Sequence, residues 1–279
     1  MTDPKARFDE QGYLAPIRAI TAAEAAAVHD GLERVRPSDP DRAAMAIGTN
    51  CHLLHPALFD LALDGRVLDA VEPILGPDIL VWSAALFAKG PDSTKFVSWH
   101  QDSTYWGLEP PDILTAWIAL TPSTPANGCM RVVPGSHRLG QLTHADGFAD
   151  DNMLSRGQEV QVEVDEADAH DIVLKPGEMS LHHVRIVHGS QSNRSAVPRV
   201  GFAVRYIPTR CRQEGGRTMA VLARGRDDHG HFDPAPRPDA PLSEAAWAGH
   251  QEAMRRMNAV LFRGATEETR VAGHRTLTG

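Results

Sequence analysis

From Ile79 onward the chain breaks into short apolar runs separated by Pro, Gly and Asn, and no helix-length period survives between them. The runs are ILVWSAALFA (79–88), ILTAWIAL (113–120), CMRVV (129–133), DIVL (171–174), EMSLHHVRIVH (178–188) and RVGFAVRYI (199–207). Short runs of this kind, bounded by turn formers, read as strands. Pro134-Gly135 and Pro176-Gly177 mark tight turns between them. A parallel sheet needs a crossover helix between successive strands, and no long helix interrupts this series. The prediction is a mainly β chain with helical additions, built as an antiparallel sandwich or barrel.

Helices are expected at the two ends. Thr21-Ala-Ala-Glu24 is a capping box that opens an Ala-rich helix to about Val35. A second helix is predicted from Val67 to Leu75, stopped by Gly76-Pro77. After an irregular segment at 226–241, Ser243 can cap a last helix with Trp247, Met254, Met257 and Leu261 along one face. The stretch 140–170 is polar and acidic, so a long loop is expected there, with 152–160 either an ordinary loop or a lid over the substrate. No repeat or clean linker divides the chain. A single domain over 1–279 is expected: N-terminal helices at about 1–78, a β core at about 79–210, and a C-terminal loop and helix at about 211–279. A hydrophobic content of 42% is enough for a core of that size.

Charge and cysteine usage narrow the partners. The formal net charge of −8 disfavours nucleic acid. The first residues, MTDPKARFDE, carry no apolar signal segment, and no run approaches the roughly 20 apolar residues that span a bilayer. Cys51, Cys129 and Cys211 are odd in number and far apart, which suits buried thiols in a reducing cytoplasm better than disulfides. A small-molecule substrate and a monomer or homodimer are the expectation.

The chemistry gathers in SWHQDSTYW (98–106). In an extended segment His100 and Asp102 face the same side and can share one ion. A third ligand must come from another strand, and His188 is the best placed. Ser190 follows it on the same face, and Arg199, eleven residues on, starts the next strand, where its planar fork can grip a carboxylate. His183 has the opposite parity to His188 and should face away; neither it nor His182 is expected to be a ligand, and His137 should stabilise a turn. Two histidines and a carboxylate on one face of a metal leave positions open, as in non-haem Fe(II) oxygenases. An isolated HxD pair is weak. Combined with a distant His and an Arg eleven residues later, it becomes specific.

Together with FDEQGYLAPI, WHQD, TAWIALTPSTPANGCMRVVPGSH and VHGSQSNRS…PR, these residues resemble the phytanoyl-CoA dioxygenase family of Fe(II)- and 2-oxoglutarate-dependent oxygenases. The resemblance runs to about Tyr206. It implies a double-stranded β-helix (jelly-roll, cupin-like) core, with His100, Asp102 and His188 as the catalytic iron ligands and Arg199 paired with the distal carboxylate of 2-oxoglutarate. It further implies a Ser190 hydroxyl contact to that carboxylate and Trp117 on the cosubstrate wall, with Thr115 and Ser83 as further cosubstrate candidates. O2 and 2-oxoglutarate would be consumed, succinate and CO2 released, and a small metabolite hydroxylated. Desaturation or ring closure begins from the same hydrogen abstraction. Halogenating relatives replace the ligand carboxylate with a small residue, so Asp102 favours hydroxylation. The competing class is a cupin-like Zn or Mn protein without oxygenase activity, which has no need of Arg199 and Ser190. Tyr105, Trp106 and Arg205 are the substrate candidates. Nine arginines and a single acid, Glu214, lie between 185 and 226, raising an anionic substrate against the plainer reading of a solvated edge.

Overall fold

The computed structural model describes residues 3–102, 106–145, 151–154, 159–161 and 164–261. Five helices come first, interrupted by one strand: α1 (Pro4–Gln11), β1 (Tyr13–Arg18), α2 (Ala22–Arg34), α3 (Pro40–Ile47), α4 (Pro56–Ala62) and α5 (Gly65–Leu75). The capping box of α2 forms with both of its bonds, Glu24 N–H to the Thr21 hydroxyl and Thr21 N–H to the Glu24 carboxylate. Helix α5 starts two residues earlier than predicted, on an Asp64 cap, and ends at Gly76 as expected. Helices α1, α3 and α4 are not in the sequence prediction. Each begins with proline in its first turn, where the missing N–H costs nothing.

The strands follow: β2 (Ile79–Lys89), β3 (Val97–His100), β4 (Leu108–Glu109), β5 (Leu114–Ala119), β6 (Met130–Val132), β7 (His144–Ala145), β8 (Glu159–Val160), β9 (His170–Asp171), β10 (Glu178–His183), β11 (His188–Ser190), β12 (Arg199–Pro208), β13 (Arg212–Gln213), β14 (Met219–Arg224) and β15 (Asp233–Pro234). Helix α6 (Glu244–Leu261) closes the described chain, with Ser243 accepting from the Ala246 N–H. A large sheet runs β1-β10-β5-β12-β2-β14-β15, antiparallel except at its last pair, and a smaller antiparallel one runs β3-β11-β6-β9. The large sheet therefore takes strands from both sides of 79–210.

Strand β12 shows how the layers arise. Phe202 and Val204 point outward into a core shared with Leu58, Val67 and Val71 of the helices. On the other face, Ala203 packs with Trp117 and Ala119 against Met130, Val132 and Ile186, which lie on or beside the small sheet. The Tyr206 hydroxyl donates to the Ala62 carbonyl at 2.7 Å and ties sheet to helix. Two facing sheets with helices on one outer side form the jelly-roll core that the resemblance implies.

Three strand expectations are corrected. EMSLHHVRIVH is not one strand: β10 ends at His183 in the large sheet, and β11 starts at His188 in the small one. Val184–Val187 carry the chain between sheets, so parity does not pass from His182 or His183 to His188. For the same reason β11 and β12 are not a hairpin; β11 pairs with β3 and β6, and β12 with β2 and β5. In DIVL, Asp171 belongs to the two-residue β9, and Leu174 makes a single bridge to Ser123. The expected loop at 140–170 holds β7, β8 and β9 within its described part; the lid reading at 152–160 falls partly outside the described residues. All three cysteines are buried thiols, and no helix among the described residues is long and apolar enough to cross a membrane.

Candidate metal centre

His100 closes β3 and His188 opens β11, and the two are register partners across the small sheet. Their ring centroids lie 4.1 Å apart. Asp102 follows just past β3, where its N–H donates to the Val184 carbonyl at 3.0 Å. Between the two ligand candidates, Gln101 turns its amide away from the site. Its Nε2 donates to the carbonyls of Gly140 (2.9 Å) and Arg185 (2.7 Å), and its Oε1 accepts from Leu142 N–H (2.8 Å). This buried anchor fixes the alternation that aims His100 and Asp102 the same way. Asp102 Oδ1 stands 3.3 Å from His100 Nε2 and 4.0 Å from His188 Nε2. One donor atom from each of the three lies within 4.8 Å of the others.

The donor set fits a metal ion. His100 Nδ1 lies 2.9 Å from the Ser98 carbonyl, and His188 Nδ1 lies 3.0 Å from the Ile186 carbonyl. A carbonyl only accepts, so each Nδ1 carries the proton and each Nε2 keeps its lone pair toward the shared point. Burial, and then the field of His100, push the His188 imidazole down to about 3, so it is neutral. Burial alone would raise the Asp102 carboxyl; the adjoining His100 and His188 and the Arg205 guanidinium outweigh it and hold it below the usual carboxylate range. Neutral imidazole and ionised carboxylate are the protonation states that metal coordination requires.

A cavity of about 440 Å³, counting its open mouth, extends from these ligands along the large sheet. Arg199, 2% exposed, lines it; its Nη1 donates to the Gly128 carbonyl at 2.8 Å, and its Cζ sits 5.2 Å from the Trp117 ring. A Cβ at Gly128, whose φ is +71°, would overlap the Gln191 carbonyl, so only glycine presents that oxygen to Arg199. Ser190 and Trp117 line the same wall. Lys89 was not anticipated from the sequence. It ends β2 with no exposed surface and donates from Nζ to the Ser190 hydroxyl at 2.6 Å and to the Gln191 carbonyl. Burial, then the Arg199 guanidinium, push it down to about 6.

The remaining candidates divide. Thr115 and Arg205 line the cavity. Ser83 is buried beside Arg205 as its register partner but does not reach the cavity wall. Trp106 is packed 5.1 Å from Trp82 in the core and meets the cavity lining at Arg205, whose Cζ lies 5.5 Å from its ring. Tyr105 lies outside the described residues. His182, not expected to be a ligand, stands outside the donor cluster but lines the cavity with its ring 5.0 Å from that of His188. His183 faces the other way, against Phe8 and His137, and His137 lies 3.1 Å from the Asp9 carbonyl, so it anchors α1. Of the arginine-rich run, Arg210, Arg217, Arg224 and Arg226 pair with Asp112, Asp233, Asp69 with Glu72, and Asp228, all acids outside the run. Only Arg199 and Arg205 of the run line the cavity.

Known proteins of this build share the arrangement of sheets. The apo form of ThoJ, a non-heme monooxygenase, superposes with a TM-score of 0.85 at 34% identity, covering 94% of this chain and 98% of that one. CytC3 with Fe(II) and alpha-ketoglutarate shares the fold at 22% identity, with a TM-score of 0.65 over 87% of this chain and 95% of its own. Ectoine dioxygenase from Sphingopyxis alaskensis is 31% identical over 169 residues, 56% of this chain and 55% of its own length. Human peroxisomal phytanoyl-CoA dioxygenase is 29% identical over 151 residues, 52% and 44% of the two lengths. The chain spans about half the length of these curated relatives. Residues 8–201, well over half the sequence, match the family profile Phytanoyl-CoA dioxygenase (PhyH), and the chain belongs to that family.

Proposed function

We propose that the protein is an Fe(II)- and 2-oxoglutarate-dependent dioxygenase that hydroxylates a small metabolite, with release of succinate and CO2. The observation that carries this reading is that the His100, Asp102 and His188 donors share one cavity with Arg199 and Ser190, and that buried Lys89 donates to the Ser190 hydroxyl. A metal protein of the cupin type that holds Zn or Mn needs the first set and has no use for the second. A buried arginine without a carboxylate is unfavourable, and a diacid cosubstrate relieves that.

The three ligands would hold iron on one face, with the far face open to the cavity. Bound iron supplies the activation of O2 that drives decarboxylation of 2-oxoglutarate and oxidation of the substrate. The chain's own contributions are orientation and exclusion of water. Arg199 would take the distal carboxylate in its fork, with Lys89 adding charge and Ser190 a hydroxyl hydrogen bond. Trp117 would wall the cosubstrate, and its ring lies 5.2 Å from the Arg199 Cζ, within reach of a cation–π attraction. Asp102 in the ligand set leaves no halide position of the kind that halogenating relatives create, which favours hydroxylation.

The test is optical. Anaerobic addition of Fe(II) and 2-oxoglutarate to the protein should give the visible charge-transfer band of the chelate, and replacing both His100 and His188 by Ala should abolish it. A colourless mixture with the unaltered protein refutes the reading. Screening small metabolites for stimulated succinate release then finds the substrate.

A further inference from the structure

The strand that carries His100 lies at the edge of its sheet. In the order β3-β11-β6-β9, β3 pairs with β11 alone among the described strands. The backbone groups of an edge strand accept any extended partner within reach. Here the partner is a short piece of the connection between β7 and β8. Phe96, just before β3, donates its N–H to the Asp151 carbonyl at 2.9 Å and accepts from the Met153 N–H at 2.9 Å, which makes a parallel bridge with Asn152.

Asn152 fastens this piece through its side chain. It is 9% exposed; its Nδ2 donates to the Ser98 hydroxyl at 2.9 Å, and its Oδ1 accepts from the Leu154 N–H at 3.2 Å. The second bond closes an Asx turn, which sets the course of the chain at Leu154. Ser98 also faces the metal centre, since its carbonyl lies 2.9 Å from His100 Nδ1. One residue of β3 therefore registers both a metal ligand and the segment beside it.

Leu154 is where that segment meets the cavity. Among the described lining residues, all but Leu154 and Asp102 belong to strands of the two sheets. Leu154 is half-buried within an otherwise polar and acidic stretch. Val97 lines the same cavity and stands between Phe96 and Ser98, the two residues that hold the segment. Neither leucine nor valine can hydrogen-bond a ligand through its side chain. What they offer is contact with carbon and the exclusion of water.

We propose that Leu154 is a specificity-determining residue, which with Val97 takes a hydrocarbon portion of the substrate on the β3 side of the cavity, and that Asn152 is the positioning residue that holds Leu154 there. This assignment rests on the Fe(II)/2-oxoglutarate reading, in which a C–H group of the substrate must approach the metal ligands. The substrate is then a molecule with an alkyl or alicyclic part of several carbons, and not one that is polar along its whole length.

The experiment uses the full chain loaded with Ni(II) and 2-oxoglutarate, which together support no turnover, and titrates 1-butanol, 1-pentanol and 1-hexanol by calorimetry. Each added methylene should tighten binding about threefold to fourfold. Leu154→Ala should weaken 1-hexanol about fivefold or more, and Leu154→Asn, of similar size but polar, at least as much, while Leu154→Met stays within about twofold of the unaltered protein. Asn152→Ala should match Leu154→Ala, and the double variant should lose no more than either single one, because Asn152 acts through Leu154. Asn152→Asp keeps the oxygen that accepts from Leu154 N–H and should restore 1-hexanol binding to within about twofold. Ni(II) and 2-oxoglutarate affinities should stay within about twofold throughout. No gain with chain length, or 1-hexanol binding untouched by Leu154→Asn, overturns the apolar wall. Additive losses in the double variant, or Asn152→Asp as weak as Asn152→Ala, overturn the positioning role. Each of these results leaves the cosubstrate reading intact, whereas failure of the unaltered protein to bind 2-oxoglutarate overturns both.

Discussion

Lys89 is the residue on which the chemistry of the cosubstrate pocket can be tested with least ambiguity. It has no exposed surface, and burial together with Arg199 pushes its ammonium down to about 6, against about 10.4 for a free lysine. Between those values the unfolded chain holds a proton that the folded chain has released. More protons on the unfolded state mean that stability rises with pH through this window. The expected slope is up to about 1.4 kcal/mol per pH unit between pH 7 and 8.5. Denaturant unfolding of the metal-free and cosubstrate-free protein should show Lys89→Met as the more stable form at pH 7, with the gap closing toward pH 8.5. A constant gap would mean that Lys89 stays charged. Binding of the 2-oxoglutarate dianion should restore the charge, so calorimetry at pH 8 in buffers of different ionisation enthalpy should register proton uptake that Lys89→Met lacks. The sequence hid this residue for a physical reason: a lysine that ends an apolar strand reads as the point where the strand reaches water. His100, Asp102, His188 and Arg199 were legible because their residue types and spacing are seldom assembled for packing alone. That His182 lines the cavity was not legible, because its neighbourhood depends on where a strand breaks.

Strand β12 carries the most consequential packing contact of the pocket. Gly201 faces Trp117, and a Cβ at position 201 would overlap the indole ring. Trp117 in turn backs the Arg199 guanidinium at 5.2 Å. Gly201→Ala must therefore move a ring that cannot yield without moving Arg199. Overpacking of this kind typically costs 1–3 kcal/mol, about what urea unfolding should report for Gly201→Ala. The same variant should weaken 2-oxoglutarate binding about tenfold or more while Ni(II) affinity holds, since the metal ligands stand on the opposite sheet. Equal losses of both would show general unfolding instead. The strands themselves were legible from their apolar runs and turn residues; where two elements meet without a turn former, the sequence was silent. Val184–Val187 is apolar enough to continue β10. What breaks it is tertiary: Val184 N–H bonds to Ile113 O, and Gln101 takes the Arg185 carbonyl. Helices α1, α3 and α4 are too short for a hydrophobic period to register, but Asp3-Pro4, Asp39-Pro40 and His55-Pro56 each hold a start signal that could have found them.

At the scale of the molecule, the two sheets divide the proposed chemistry between them. His100 and His188 belong to the small sheet, with Asp102 just past its β3 strand, while Lys89 and Arg199 end the large-sheet strands β2 and β12. Lys89 already reaches across to Ser190 of the small sheet, so the contact between sheets at this end is polar. A metal ion alone would brace only the small sheet and its following loop. A cosubstrate chelated to that metal and held by Arg199 would join the sheets directly, giving the Arg199 guanidinium an ion pair and drawing a proton back onto Lys89. Stabilisation by a ligand follows its occupancy, about 2.7 kcal/mol at a hundredfold excess over Kd, or roughly 5 °C or more for a chain of this size. Thermal scans should therefore give a modest rise with Ni(II), little with 2-oxoglutarate alone, and with both a rise larger than the sum. Arg199→Met should keep the Ni(II) rise and lose the excess. The excess is the measurable form of the bridge, because two ligands that stabilised separate parts of the fold would add and nothing more.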